Sequence, residues 1–86
     1  MINKLTPRQK EIYNAICVDG ITRRKDLMEL FYISRGTLIA HINAIYETFN
    51  VHSVADLIYM HYQRKIENII REMTKWLMNL LSKKHL

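Results

Sequence analysis

Residues 34–49 have the apolar spacing of a helix and carry hydrogen-bonding and small side chains on the other side. Residues spaced by three or four predict the buried side: Leu38, Ile42, Ile45 and Phe49. The outer side holds four candidates for contacts with bases: Arg35, Ile39, Ala40 and Asn43. Arginine and asparagine can make paired hydrogen bonds to base edges, and small or apolar side chains allow close approach and can contact a thymine methyl group. The segment therefore predicts a helix that fits the major groove of DNA, with an ordinary amphipathic helix as the alternative.

Basic residues are clustered along the chain. Thirteen lysines and arginines against eight acids give a formal net charge of +5, which favours anionic partners. The densest cluster is Arg23, Arg24 and Lys25, and Arg8 precedes it. If these residues share a surface with Arg35, they form a rim that binds phosphates on both sides of the helix. The alternative is that solvated basic residues happen to be neighbours.

Length and composition limit the class of protein. With 86 residues and 49% hydrophobic content, the chain has room for one small core of three or four helices. Cys17 lies among apolar residues and predicts a buried thiol rather than a disulfide. No run approaches the roughly 18 apolar residues of a membrane span, and no leader pattern is present. We expect a cytoplasmic protein that does not act at a membrane.

Catalytic and metal-binding patterns are missing from the sequence. The four histidines do not combine with Cys17 or with acids at zinc spacing, and no nucleophile lies beside a suitable base. Glycine-rich phosphate loops and paired carboxylates in an apolar setting are also missing. We therefore expect no metal site, no cofactor and no enzymatic activity.

Capping residues predict where the first two helices begin and end. Thr6, Pro7 and Gln9 form a capping box with proline at the first helical position. Gly20 is the expected left-handed stop after the first helix, and Thr22 is the expected cap of a second helix over about 23–31. Three residues of that second helix are expected to turn inward: Leu27, Leu30 and Phe31.

The third and fourth helices begin at serines. Tyr32 and Ile33 form a tight connection to the helix capped by Ser34, and Ser53 caps a fourth helix with Asp56 in its first turn. Neither proline nor glycine follows Gly36, so the fourth helix is expected to continue to about residue 83. The sequence therefore divides into a domain at 1–65 and a helical extension at 66–86.

The extension carries a broad apolar stripe with heptad spacing. Nine residues are the candidates for dimerisation: Tyr59, Tyr62, Ile66, Ile69, Ile70, Met73, Trp76, Leu77 and Leu80. Leu57, Ile58 and either Met60 or His61 are expected to pack on the first and third helices. An apolar stripe of this size would not remain in water unpaired, so self-association is expected. A helix lying on a membrane surface is the competing interpretation, but Glu67 and Glu72 interrupt it.

In order, these features resemble the four-helix helix-turn-helix domain of the LuxR/GerE family of bacterial transcription regulators. The similarity covers about residues 5–65, in LTPRQKEIYNAI at 5–16, the basic second helix, ISRGTLIAHINAIYETFNVHS at 33–53 and ADLI at 55–58. It implies that residues 34–49 enter the major groove and that the fourth helix forms the dimer contact. It also implies that Thr37 and the basic second helix hold phosphates. The full candidate set for phosphate is Arg8, Thr22, Arg23, Arg24, Lys25, Ser34 and Thr37.

The chain departs from the family pattern in two places. The family usually has lysine or arginine where this chain has Ile39, and often another polar or basic residue where it has Asn43. Isoleucine can contact a thymine methyl group and asparagine can pair with adenine, so we predict a binding site rich in A·T pairs. The second departure is the extension beyond residue 65. Since no receiver or ligand-sensing domain precedes residue 5, we expect activity to follow the protein's amount or a partner of the extension.

These observations predict an all-α, four-helix helix-turn-helix protein with a long C-terminal helix. Its expected function is sequence-specific binding of double-stranded DNA as a homodimer that regulates transcription, in a bacterium, phage or mobile element. One alternative is a DNA-packaging or assembly protein similar to a small terminase, in which the extension drives oligomerisation. A second alternative is a module that binds RNA polymerase or another regulator.

Overall fold

A computed structural model describes residues 4–84, which form four α-helices. These are α1 (Pro7–Cys17), α2 (Arg24–Phe31), α3 (Arg35–Phe49) and α4 (Val54–Lys84). The predicted all-α class is confirmed. The predicted domain at 1–65 and the predicted extension at 66–86 include five terminal residues that lie outside the described residues, namely 1–3 and 85–86.

Three predicted helix starts are confirmed by their capping hydrogen bonds. The Thr6 side chain accepts from the Gln9 amide at 3.2 Å, and the Gln9 side chain accepts from the Thr6 amide at 3.0 Å. The Ser34 hydroxyl accepts from the amide of Thr37 at 3.2 Å. The Ser53 hydroxyl accepts from the amide of Asp56 at 3.1 Å. Each bond satisfies an amide that the first turn of a helix leaves free, so local chemistry fixes these starts.

Two expectations for α2 are wrong. The helix begins at Arg24, so Arg23 is the N-cap and no side chain caps it, whereas Thr22 lies one residue too early to do so. Leu30 was expected to be buried, but its side chain is 50% exposed. Leu27 and Phe31 are buried and Met28 is partly buried beside them, so the core contacts this side of α2 and leaves Leu30 beyond its edge.

The end of α1 differs slightly from its prediction. Gly20 has the expected left-handed backbone, with φ 74°, but the helix itself ends three residues earlier at Cys17. The amides of Val18 and Asp19 both donate to the carbonyl oxygen of Asn14. Gly20 therefore serves the turn after the helix, in which the amide of Ile21 donates to the carbonyl oxygen of Ala15 at 3.0 Å.

One hydrophobic core joins the four helices. α3 packs against both α1 and α2, and the start of α4 packs against α1. The core consists of thirteen buried residues: Leu5, Ile12, Tyr13, Ala15, Ile16, Cys17, Leu27, Phe31, Leu38, Ile42, Ile45, Phe49 and Leu57. The predicted apolar face of residues 34–49 supplies four of them, so that helix has the orientation that its sequence indicates.

Tyr13 connects α1 to both α3 and α4. Its ring centroid lies 5.3 Å from that of Phe49, and its hydroxyl lies 2.8 Å from Nδ1 of His61. Burial raises the pKa of Tyr13 to about 12 and, with a smaller effect from Lys65, lowers the pKa of His61. The phenol and the imidazole share this hydrogen bond, and its direction follows the tautomer of the imidazole. The predicted buried thiol is confirmed, since Cys17 is only 2% exposed, and this burial raises its pKa to about 11.

Only the first part of α4 contacts this core. Leu57 is fully buried, and three neighbours are partly buried against the core: Val54, Ile58 and Met60. From residue 62 to residue 82 every side chain is exposed. The helix therefore projects from the domain and gives the molecule extents of 62 × 22 × 21 Å.

Tyr32, in the connection from α2 to α3, has a left-handed backbone at φ 53° while its side chain is 95% exposed. A Cβ atom in this conformation costs roughly 1–2 kcal/mol, which glycine avoids. We expect Tyr32→Gly to raise the free energy of unfolding by about 0.5–1 kcal/mol, because the gain exceeds the backbone entropy that glycine loses on folding. Urea denaturation measures the change. Tyr32→Ala is the control, since it keeps the Cβ atom, and an equal gain from alanine would contradict the explanation.

Candidate nucleic-acid interface

The outer side of α3 is open over its first half. Arg35, Gly36 and Ala40 are exposed, and no atom lies within 4 Å of the position that a Cβ would take on Gly36. Asn43 is also exposed, whereas Ile39 is half-buried. Three of the four candidates for base contacts are therefore accessible, and Ile39 lies partly against its neighbours.

Ser34 and Thr37 form a linked pair at the start of α3. Besides accepting from the Thr37 amide, the Ser34 hydroxyl donates to Oγ1 of Thr37 at 3.0 Å. Because a hydroxyl has one proton and two acceptor positions, the Thr37 hydroxyl keeps its own proton for another acceptor. The contact with Ser34 thus leaves the hydroxyl proton of Thr37 unused and holds its side chain in place.

A crevice of about 80 Å³ runs between α2, α3 and the start of α4. Two predicted base-contacting residues and two predicted phosphate-binding residues line it: Ile39, Asn43, Thr22 and Arg24. Its floor is formed by apolar residues, among them Leu27 and Ile42. The structure therefore places the middle of α3 next to the basic start of α2.

Tyr46 also lines this crevice, although the sequence did not single it out as a site residue. Burial raises the pKa of its hydroxyl, and the nearby positive charge of Arg24 opposes that change. Its spacing gives a signal that could have found it, since Ile39, Asn43 and Tyr46 follow one another at intervals of four and three on one helix face. A protonated phenol beside an arginine adds a hydrogen-bond donor to the site.

Arg8 makes three contacts within the molecule. Its guanidinium donates to the carbonyl oxygen of Phe31 at 2.7 Å and to Glu11 at 2.9 Å, and it lies 5.0 Å from the centroid of the Phe31 ring. The arginine therefore satisfies a carbonyl at the end of α2 and ties α1 to the connection before α3. Its contact with phosphate stays a prediction.

The remaining basic residues surround the start of α2. Arg23, Arg24 and Lys25 are all exposed, and Arg35 is exposed at the start of α3. Asp26 occupies the first turn of α2, where a negative charge offsets part of the unfavourable effect of these cations on the helix dipole. Positive charge is concentrated at the N-terminal ends of two adjacent helices.

The nine candidates for dimerisation all lie on the exposed surface of α4. Their exposed fractions range from 41% for Leu80 to 67% for Tyr59, and Leu81, at 54%, extends the same surface. We refer to these ten residues as the α4 stripe: Tyr59, Tyr62, Ile66, Ile69, Ile70, Met73, Trp76, Leu77, Leu80 and Leu81.

The α4 stripe faces away from the domain. At about 100° per residue, Ile66 lies nine residues and roughly 180° from the buried Leu57, and Tyr59 lies roughly 200° from it. Domain packing and the α4 stripe thus use opposite sides of one helix. Every residue of the α4 stripe is at least 41% exposed in the monomer.

Within residues 4–84, no group of three or more histidine, cysteine, aspartate and glutamate side chains is placed to hold a metal ion. Over the same part of the chain, none of the helices has the length and apolar character needed to cross a membrane. Comparisons with protein-family models, with curated proteins and with solved structures find no match to this chain.

Proposed function

We propose that this protein binds double-stranded DNA sequence-specifically, as a homodimeric regulator of transcription. Residues 24–49 act as a helix-turn-helix of the type that the sequence resembles, with α3 in the major groove. The carrying observation is that one crevice is lined both by Asn43, on the exposed side of α3, and by Arg24, at the exposed start of α2. One side chain can contact a base edge while the other contacts the backbone.

Each part of the site has its own task in this proposal. Arg35, Ala40 and Asn43 contact base edges, and Ile39 contributes only the part of its side chain that the crevice leaves exposed. Thr37 donates its free hydroxyl proton to phosphate. The basic start of α2 binds neighbouring phosphates of the same DNA strand, and the candidates are Arg23, Arg24, Lys25 and Thr22. Arg8 supports the site from within the domain.

The homodimer forms through the α4 stripe. At roughly 200 Å² for each of the three aromatic side chains and roughly 100 Å² for each of the seven aliphatic ones, half exposure of all ten presents on the order of 700 Å². A stable interface needs about 800 Å² from each partner, and a monomer seldom exposes an apolar patch above about 600 Å². A second copy therefore supplies a surface of matching size and chemistry, and two linked half-site contacts increase DNA affinity.

Asn43→Ala and Arg24→Ala separate base contact from phosphate contact. We expect Asn43→Ala to cost about 1–3 kcal/mol on the preferred duplex and little on random duplexes, because it removes a paired contact with one base. Arg24→Ala should weaken binding to all duplexes and reduce the slope of log K against log salt by about one. Fluorescence anisotropy titrations at several salt concentrations measure both effects.

Matched controls for these substitutions lie on the polar side of α4. Asn68→Ala and Arg71→Ala remove the same groups from exposed positions far from the crevice, and neither should change affinity beyond the small effect of net charge. Equal losses on preferred and random DNA for both Asn43→Ala and Arg24→Ala would contradict the assigned roles.

The α4 stripe also supports a second candidate, a DNA-packaging subunit that assembles into a ring. The same stripe that would hold a dimer would then hold neighbours around that ring. Light scattering distinguishes the two, since an octamer or larger ring favours packaging and a smaller closed assembly favours the regulator. Binding to RNA polymerase without affinity for DNA is the outcome that would favour an interaction module.

A further inference from the structure

We propose that the α4 stripe joins two homodimers, so that four α4 helices form one bundle with the four domains on its outside. This inference rests on the proposed homodimer and extends it. Within a homodimer, one partner helix leaves part of the stripe uncovered. The second dimer packs on that part.

The width of the stripe carries the argument. Between residues 66 and 81 its outermost members are Trp76 and Leu81, which lie about 140° apart around the helix at about 100° per residue. No polar residue lies within this arc. A two-stranded coiled coil buries the narrower seam formed by positions a and d alone, whereas bundles of several helices bury a wider one.

The heptad positions lead to the same conclusion. With Ile66, Met73 and Leu80 at position a, Lys84 is at position e of the third heptad, and the e positions of the first two are Ile70 and Leu77. In two-stranded coiled coils, position e is often charged and lies at the edge of the interface. Here both side chains are exposed, at 56% and 50%. A second dimer that packs on this edge removes them from water.

The domain leaves room for this bundle. Leu57 and the partly buried Val54, Ile58 and Met60 hold the domain against the start of α4, with Ile58 on the edge nearest the stripe, and Tyr59 and Tyr62 remain 67% and 46% exposed. Along α4 the stripe spans about 33 Å, at 1.5 Å per residue. Four helices can overlap over this length while every domain remains outside the bundle.

Charge favours an arrangement in which the two dimers run antiparallel. Every domain carries exposed Arg23, Arg24, Lys25 and Arg35, and all four domains at one end would bring these clusters together. Antiparallel dimers separate them into two pairs at opposite ends and also oppose the dipoles of the long helices. The assembly then presents two DNA-binding pairs that face away from each other, so one tetramer can hold two duplexes.

Multi-angle light scattering of the full chain tests the bundle. With a chain mass of 10.3 kDa, a tetramer has a mass of about 41 kDa and a dimer about 21 kDa. We expect about 41 kDa for the wild type and about 21 kDa for the double variant Ile70→Lys with Leu77→Lys. The control, Asn68→Lys with Asn79→Lys, adds the same charge on the polar side of α4 and should stay at about 41 kDa. A wild-type mass of about 21 kDa at the highest concentration measured would overturn the proposal.

Capture of a second duplex tests the arrangement of the domains. The probes are an immobilised random-sequence duplex pool and a dye-labelled copy of it, at low salt, where phosphate contacts suffice for binding. The wild type should retain dye on the immobilised DNA, and the dimeric double variant should bind that DNA without retaining dye. A tetramer that binds one duplex but retains no dye would overturn the opposite-end arrangement. A tetramer that binds no DNA would instead overturn the proposed function, while its mass would still support the four-helix bundle.

Discussion

Ending the chain at Lys65 should give a folded monomer whose affinity for DNA is about 10²–10⁴-fold lower than that of the full chain. Residues 66–82 are exposed along their whole length and form no part of the core, so their loss removes eight of the ten residues of the α4 stripe without opening the domain. The affinity falls because each half-site must then be bound by itself. Light scattering, circular dichroism and anisotropy titration measure mass, helix content and affinity.

A substitution in the full chain provides the control for this truncation. Ile69→Glu introduces a charge into the α4 stripe, whereas Asn68→Glu introduces it on the polar side of the same turn. We expect Ile69→Glu to reduce both the mass of the assembly and its DNA affinity. Asn68→Glu should reduce the DNA affinity alone, through its added negative charge. If the truncated chain formed the same oligomer as the full chain and bound DNA with the same affinity, the contact between copies would have to lie within residues 4–65.

Leu57→Ala should lower the free energy of unfolding by about 2–5 kcal/mol. Leu57 is fully buried where α4 meets the core, and its removal leaves a cavity that the surrounding helices cannot fill without moving. A domain this small has little stability to lose, so a substantial unfolded fraction is expected. Urea denaturation of the chain ending at Lys65 measures the change without a contribution from association.

Leu30→Ala is the matched control for Leu57→Ala. It makes the same chemical change at a side chain that is 50% exposed on α2, and we expect a loss below about 1 kcal/mol. Similar losses for the two variants would contradict the packing described for the start of α4.

Features set by neighbouring residues could be predicted from the sequence. Thr6 with Gln9, Ser34 with Thr37, and Ser53 with Asp56 each bring a donor and an acceptor together within one turn, so no tertiary contact is needed. Thr22 shows the limit of such reasoning. A threonine before a basic run looks like a cap, but the helix begins at Arg24, and the position before it is Arg23.

Features that join distant segments could not be predicted in this way. Arg8 donates to the carbonyl oxygen of Phe31, 23 residues away, because the fold brings the start of α1 to the end of α2. Ile39 lies partly buried because α2 and α4 form the other walls of its crevice. A helical periodicity gives the side of α3 on which Ile39 lies, but not how closely another helix approaches it.

The α4 stripe could be predicted from the sequence only in part. Its residues and heptad spacing follow from the sequence, and so does the angle of roughly 180° between Leu57 and Ile66. The position of the domain, which the sequence does not supply, decides that Leu57 is buried in the core while Ile66 stays half exposed. This opposition of two faces on α4 is what allows one helix to join the domain to another copy.

Selection from a pool of random duplexes tests sequence-specific DNA binding most directly. The full chain should enrich an inverted repeat rich in A·T pairs, with half-sites about one helical turn, roughly 34–36 Å, apart. Asn43→Ala should relax the preference at one base pair in each half-site while retaining the spacing. Recovery of duplexes with no shared sequence, or retention of no duplex, would contradict the proposed function.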